Sequence, residues 1–179
     1  YKIEKKTYNG LKSELAELPL WNFWLRYVKG VGPAYTLGLI SWIGNIRRFD
    51  TVSKLWAYSG MHVVDGHAAK RAAGEKANWN PKMKVLAWKI AGQFVRQGGK
   101  YRSYYLVQKA AYVAREDLKE VPKGRIDAMA RRKTAKLFLA HLWEQWRRLE
   151  GLPIRQPYAI EKLGHRTFIE PFFDRKPPE

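Results

Sequence analysis

Residues 29–34 read Lys-Gly-Val-Gly-Pro-Ala, and these residue types are suited to holding an anion on backbone amides. Gly30 and Gly32 reach backbone angles closed to other residues. Val31 between them has the shape to plug into a core. Pro33 suits the first position of a helix, where its missing N–H costs nothing. The unpaired N–H groups of that helix start, together with its positive dipole end, attract phosphate. Such contacts position a backbone and read no base, so the stretch alone predicts phosphate affinity with little sequence preference. The competing reading is structural, because Gly-x-Gly between two apolar helices also makes a plain tight turn.

Charge moves the balance. The 179 residues hold 34 Lys plus Arg against 16 Asp plus Glu, a net of +18, with a pI near 10.1. A field of that sign draws polyanions. Lys29 stands beside the turn, and a basic stretch at 61–80 supplies Lys70, Arg71 and Lys76. Lys82, Lys89 and Arg96 share one helix face, and Arg132 and Lys136 lie one turn apart on a later helix. With Gly30, Val31, Gly32 and Ala34, these are the candidate phosphate contacts. Charge runs are often just solvated faces, but here few acids are interspersed. Eight Trp and ten Tyr also raise base stacking, yet most of these rings fall on apolar faces and read as core.

Other chemistry is thin. Without cysteine there are no disulfides, thiolate metal sites or cysteine nucleophiles, which fits a reducing compartment. His62-x-x-Asp65-x-His67 offers three donors in a loop and reads as exposed polar residues. His141, inside a helix, reads as packed. Glu144 and Glu150 do not share a face, and Glu116 and Asp117 point apart. No metal and no cofactor is expected. No apolar run approaches the ~18 residues of a membrane span, and no signal peptide is evident, so no membrane partner is expected and the location reads as cytoplasmic. The chain begins at Tyr1 rather than Met, which reads as a fragment, a processed product or the ordered part of something longer.

Helical punctuation positions the candidates. Residues 1–18 read as a leading arm or helix. Pro19 opens one helix, Pro33 the next, and Gly44 ends it. Asp50 reads as the N-cap of a short helix through Tyr58, closed by Gly60. Residues 61–80 lack helical period and read as a basic loop or loose hairpin. Asn80-Pro81 starts a helix to about Gln97, with Met83, Leu86, Ala87, Ile90 and Phe94 facing inward. A helix over about 101–117 follows, with Leu106, Ala110 and Val113 inward. The last helix, about Arg125 to Glu150, buries Ala135, Phe138, Leu139, Leu142, Trp146 and Leu149, with Arg125, Arg132, Lys136 and Trp143 along one flank. From Leu152 a Pro-rich arm docks through Tyr158, Phe168, Phe172 and Phe173. The fold class is all-α: five or six helices over 19–151, then an extended arm over 152–179.

The hairpin at 25–43 resembles a helix-hairpin-helix module, which holds phosphate on such a turn. The order of motifs is also distinctive: Ile-Gly-Asn-Ile-Arg-Arg-Phe at 43–49, Lys-Leu-Trp-Ala-Tyr-Ser-Gly-Met at 54–61, Asn-Pro-Lys-Met-Lys at 80–84, and Ala-Arg-Arg-Lys-Thr-Ala-Lys-Leu-Phe-Leu-Ala-His-Leu-Trp at 130–143. Over roughly 25–150 this resembles the C-terminal transposase domain of the bridge-RNA-guided insertion-sequence transposases. The resemblance implies DNA recombination by an oligomer on DNA and a structured RNA, with a nucleophilic serine in an Arg-x-Ser-Gly-x-Lys pattern. Here the matching stretch is Arg71-Ala72-Ala73-Gly74-Glu75-Lys76, so Ala73 stands at the serine's place, and 60–80 contains no serine. Ser59 is a poor substitute for it. An alanine methyl cannot attack a phosphodiester.

The resulting expectation is a transposase-like, backbone-directed DNA-binding protein of a mobile element, virus or nucleoid. It lacks strand cleavage, and a structured RNA or a second copy of the chain are further partners to test. Two alternatives stand beside it. One is an active recombinase whose nuclease half lies on a missing segment or partner chain. The other is a structural component of a ribonucleoprotein or virion.

Overall fold

Prolines and asparagines set where helices begin. Pro19 opens α1 (Pro19–Phe23) and Pro33 opens α2 (Pro33–Ile43). Asn80 Oδ1 accepts the N–H of Met83 at 3.1 Å, and Pro81 then starts α4 (Pro81–Gln97). The computed structural model describes residues 10–11, 13–64, 66–70, 73–154 and 168–175. The remaining helices are α3 (Val52–Tyr58), α5 (Lys100–Val113) and α6 (Lys123–Leu149), with helical turns over 13–16. Among the described residues the sheet is a two-residue hairpin, β1 (Val63–Val64) antiparallel to β2 (His67–Ala68), with Val63 opposite Ala68. The all-α expectation holds, and the loose hairpin at 61–80 is present.

Helix α6 is the spine, packing against α3, α4 and α5. Its buried face carries Ala135, Phe138, Leu139, Leu142 and Trp146. Against it α4 presents Met83, Ala87, Ile90 and Phe94, all buried. An aromatic knot joins the elements: Phe94 stacks on Tyr101 with ring centres 4.4 Å apart, and Trp24 stacks on Phe138 at 5.7 Å. The arm closes over this knot. Phe172 sits edge-on to Tyr101 and His141, at 4.9 and 5.1 Å, and its carbonyl accepts the Trp24 indole N–H at 3.0 Å. Phe173 lies 6.4 Å from the Tyr27 ring, whereas Phe168 is exposed. Tyr158 lies outside the described residues.

Four local expectations change. Helix α1 stops at Phe23, and a 3-10 turn, Leu25–Tyr27, replaces its continuation. Thr51, not Asp50, occupies the N-cap position of α3, while Asp50 pairs with Lys54 at 2.9 Å. Trp143 is buried, its indole N–H donating to the Phe49 carbonyl at 2.7 Å, so it does not extend a cationic flank. In α5 the apolar residues point outward: Leu106 is 50% and Val113 66% exposed, while Tyr101 and Tyr105 are buried. The tyrosines win the inner face because each buries a large ring and finds a partner for its hydroxyl, His141 for Tyr101 and Asp127 for Tyr105.

Candidate nucleic-acid interface

The elbow between α1 and α2 is built around Val31 and Gly30. Val31 is buried, as its place between two glycines suggests. Gly30 adopts φ +96°, the left-handed region that glycine tolerates. A Cβ there would lie 3.2 Å from the Phe94 ring, so the turn is pressed onto α4. Gly32 differs from expectation. Its φ is −94°, extended backbone open to any residue, and it forms the N-cap of α2.

The amides of the elbow divide into occupied and open. Val31 N–H donates to the Val28 carbonyl at 3.2 Å, and Lys29 N–H donates to Asp174 Oδ2 at 2.7 Å. The N–H groups of Gly30, Gly32, Ala34 and Tyr35 have no acceptor among the described residues, and Pro33 has no N–H. Three of these open amides surround the first turn of an 11-residue helix, where intrahelical partners are lacking. They face a cleft of about 470 Å³ whose margin includes Arg26, Lys29, Gln93 and Arg175. Gln93 donates to the Tyr35 hydroxyl at 3.1 Å, which leaves the tyrosine's own proton to give. Ala34 is exposed and Gly32 half-buried. The arm therefore takes one amide of the elbow, the Val28 carbonyl takes another, and those of Gly30, Gly32, Ala34 and Tyr35 stay open among the described residues.

The other predicted cations fall into two groups. Lys82, Lys89 and Arg96 are exposed on the outer face of α4, as their spacing suggests. Lys82 Nζ lies 4.7 Å from the Trp42 ring centre. On the opposite side, Lys70 and Lys76 border a cleft of about 390 Å³ between the β-hairpin and the 75–79 loop. Arg71 lies outside the described residues. Arg132 and Lys136 are half-buried on α6 near this cleft rather than displayed on a flank. Arg132 Nη2 donates to the carbonyls of Met61 and His62 at 2.9 and 2.7 Å. The sequence reading missed Lys84, which joins them, and took His62 for an exposed loop residue, whereas it is half-buried with its Nδ1 covered. Burial, then the charges of Arg132, Lys84 and Lys136, hold the His62 imidazole below its ordinary pKa. Burial and then Arg132 lower Lys136 to about 8, and lower Lys84 as well.

Hydroxyl chemistry is poorly served nearby. Ala73 is exposed on the loop, and Ser59 is fully buried with its Oγ unpartnered. Asp65 of the His62-x-x-Asp65-x-His67 trio lies outside the described residues, and no group of three metal-ligand side chains gathers among those described. His141 is a packed histidine: Tyr101 O–H lies 2.7 Å from Nδ1 and the Ile169 carbonyl 2.9 Å from Nε2. Among the described residues no helix is long and apolar enough to cross a membrane.

Residues 24–106 match the profile described as Transposase IS116/IS110/IS902 family. This stretch is a transposase-like domain. It runs from the elbow through α2, α3, the hairpin and α4 into α5, and so contains the second cleft and every lining residue of the first except Arg175, but not the α6 cations. No curated protein and no solved structure matches the chain.

Proposed function

We propose that this protein grips the phosphate backbone of nucleic acid, duplex DNA first, with little dependence on base sequence and without severing the strand. The elbow acts as a helix-hairpin-helix contact. The observation that carries the reading is the set of open amides on Gly30, Gly32, Ala34 and Tyr35, at a helix N-terminus lined by Arg26, Lys29 and Arg175. Amides and dipole there favour a bound phosphate oxygen. The net charge of +18 supplies long-range attraction, and the transposase-like stretch supports DNA as the polyanion. Ala73 offers no nucleophile, and Ser59 is sealed in the core.

The test is a mobility-shift series on a short duplex of arbitrary sequence. Binding falls steeply with salt, by nearly one log–log unit per neutralised phosphate, and barely changes with sequence. Gly32→Glu keeps the fold, since φ −94° suits any residue, but sets a carboxylate among the open amides. Its affinity at low salt drops about tenfold or more, the equivalent of one lost favourable contact. Wild-type affinity in that variant sinks the elbow reading. Nicking of supercoiled plasmid, or a covalent protein–DNA adduct, sinks the claim that the strand is left intact.

A further inference from the structure

Two remote helices bring three cations together. Lys84 comes from α4, and Arg132 and Lys136 from α6. His62, just before β1, feels the charge of all three. Lys84 Nζ donates to the Ala69 carbonyl at 3.2 Å and lies 4.3 Å from the Trp79 ring centre. Lys136 Nζ lies 4.1 Å from the Trp56 ring centre, and that indole N–H donates to the Lys136 carbonyl at 2.9 Å. Among the described residues no carboxylate forms an ion pair with any of the three.

Such a cluster is costly on its own. Cations drawn partly out of water repel one another and lack the partner that would compensate. Elsewhere, Arg131 pairs with Asp127 and Glu144 with Arg148, and buried Arg147, with no carboxylate partner among the described residues, donates its guanidinium to the carbonyls of Phe49 and Pro153. The His62 Nδ1 is also buried without a partner. His62, Trp79 and Ala69, which touch the cluster, line the second cleft, and Lys70, Lys76, His67 and Glu75 complete its margin. An anion entering that cleft supplies the missing counter-charge. Lys84 reaches the cleft's wall through Ala69 and Trp79, and Arg132 through the His62 carbonyl, all three of them lining residues.

We infer that this cleft is a phosphate-group site separate from the elbow, in which Lys84, Arg132 and Lys136 supply the counter-charge and His62 a hydrogen bond. It rests on the backbone-binding reading only for what carries the phosphate: a nucleic-acid strand or a free phosphate compound.

The test follows the His62 imidazole by NMR titration, its resonance assigned by loss in His62→Gln. Pyrophosphate at about ten millimolar, or a short duplex, raises the imidazole pKa, because the bound anion reverses the sign of the local field. The Lys84→Met/Lys136→Met double variant, its fold checked by amide spectrum, loses that rise; Lys136→Met alone halves it and serves if the double variant fails to fold. A His62 titration unmoved by pyrophosphate and by duplex overturns the inference, as does a rise that survives loss of the lysines. The salt slope on duplex separates the carriers: it falls by about two in the double variant if a strand occupies the site, and stays unchanged if a free phosphate compound does. Absent duplex binding with an intact pyrophosphate response removes the elbow reading and leaves this site standing. Duplex binding with an inert His62 does the reverse.

Discussion

The carboxylate of Asp174 accepts the backbone N–H of Lys29 at 2.7 Å through one oxygen and that of Lys100 at 2.7 Å through the other. Asp174 thus ties the turn before α2 to the start of α5. Its own N–H donates to the Tyr27 carbonyl at 2.9 Å, so the arm is fixed from both sides. Asp174→Asn keeps one acceptor and loses the charge, and is expected to lower stability by about 1 kcal/mol, since the pair is exposed to solvent. The same change removes a negative charge beside the elbow cleft, so duplex affinity at low salt rises. Urea midpoints and a shift assay read the two effects; a variant as stable as wild type denies the arm its fastening role.

The two glycines of the elbow are expected to respond differently to alanine. Gly30→Ala meets a left-handed φ of +96° and a Phe94 ring 3.2 Å from the new Cβ. Strain of both kinds costs on the order of 1–3 kcal/mol. Gly32→Ala sits at φ −94° and costs under about 1 kcal/mol, the scale of a change at an N-cap. Thermal unfolding of both variants checks this, and equal losses contradict the assignment of the turn to Gly30 alone.

His141 makes the fold sensitive to acid. Burial lowers its pKa from 6.5 to about 4. The folded state therefore holds the neutral ring, with Nδ1 facing the Tyr101 hydroxyl and Nε2 the Ile169 carbonyl. The unfolded chain protonates near pH 6.5 and the folded one only near 4, so the stabilisation is complete above 6.5 and is lost as pH falls toward 4. Between pH 7 and 5 the loss is about 2 kcal/mol. Urea unfolding at the two pH values measures it. In His141→Gln the dependence over that interval flattens, and an equally steep dependence there assigns it to another group.

Much of the fold is legible because its signals are local. Asn80-Pro81 marks the start of α4, Gly98-Gly99 its end, and the spacing of Met83, Ala87, Ile90 and Phe94 marks its inner face. Helix α5 misleads because two stripes compete, one aliphatic and one tyrosine-rich. Choosing between them requires knowing that His141 and Asp127 stand opposite the hydroxyls. The elbow is readable from Gly30 to Pro33, but the arm that takes one of its amides lies 145 residues away in sequence. Lys84 had no local signal: it lies beside Met83 on α4, and only the approach of α6 makes it part of a cluster. Arg132 and Lys136, one turn apart, were a readable half of that cluster.

Lys136 sets stability against binding. Burial, then the Arg132 charge, brings its pKa from 10.5 to about 8. The folded state thus prefers the neutral amine, and the wild-type protein loses stability as pH falls from 10.5 toward 8. Lys136→Met keeps the unbranched stem against Trp56 and removes the charge, so at pH 7 it is expected to be more stable by about 1 kcal/mol after allowing for solvent near the ammonium group. Near pH 10 the wild-type lysine is largely neutral when folded, and the advantage shrinks. The same variant binds phosphate-bearing ligands more weakly, because a cation retained at a cost in stability is one the ligand uses. Unfolding midpoints at the two pH values, set beside the shift assay, test both halves. A variant destabilised at pH 7 while binding as well as wild type makes Lys136 a packing residue and nothing more.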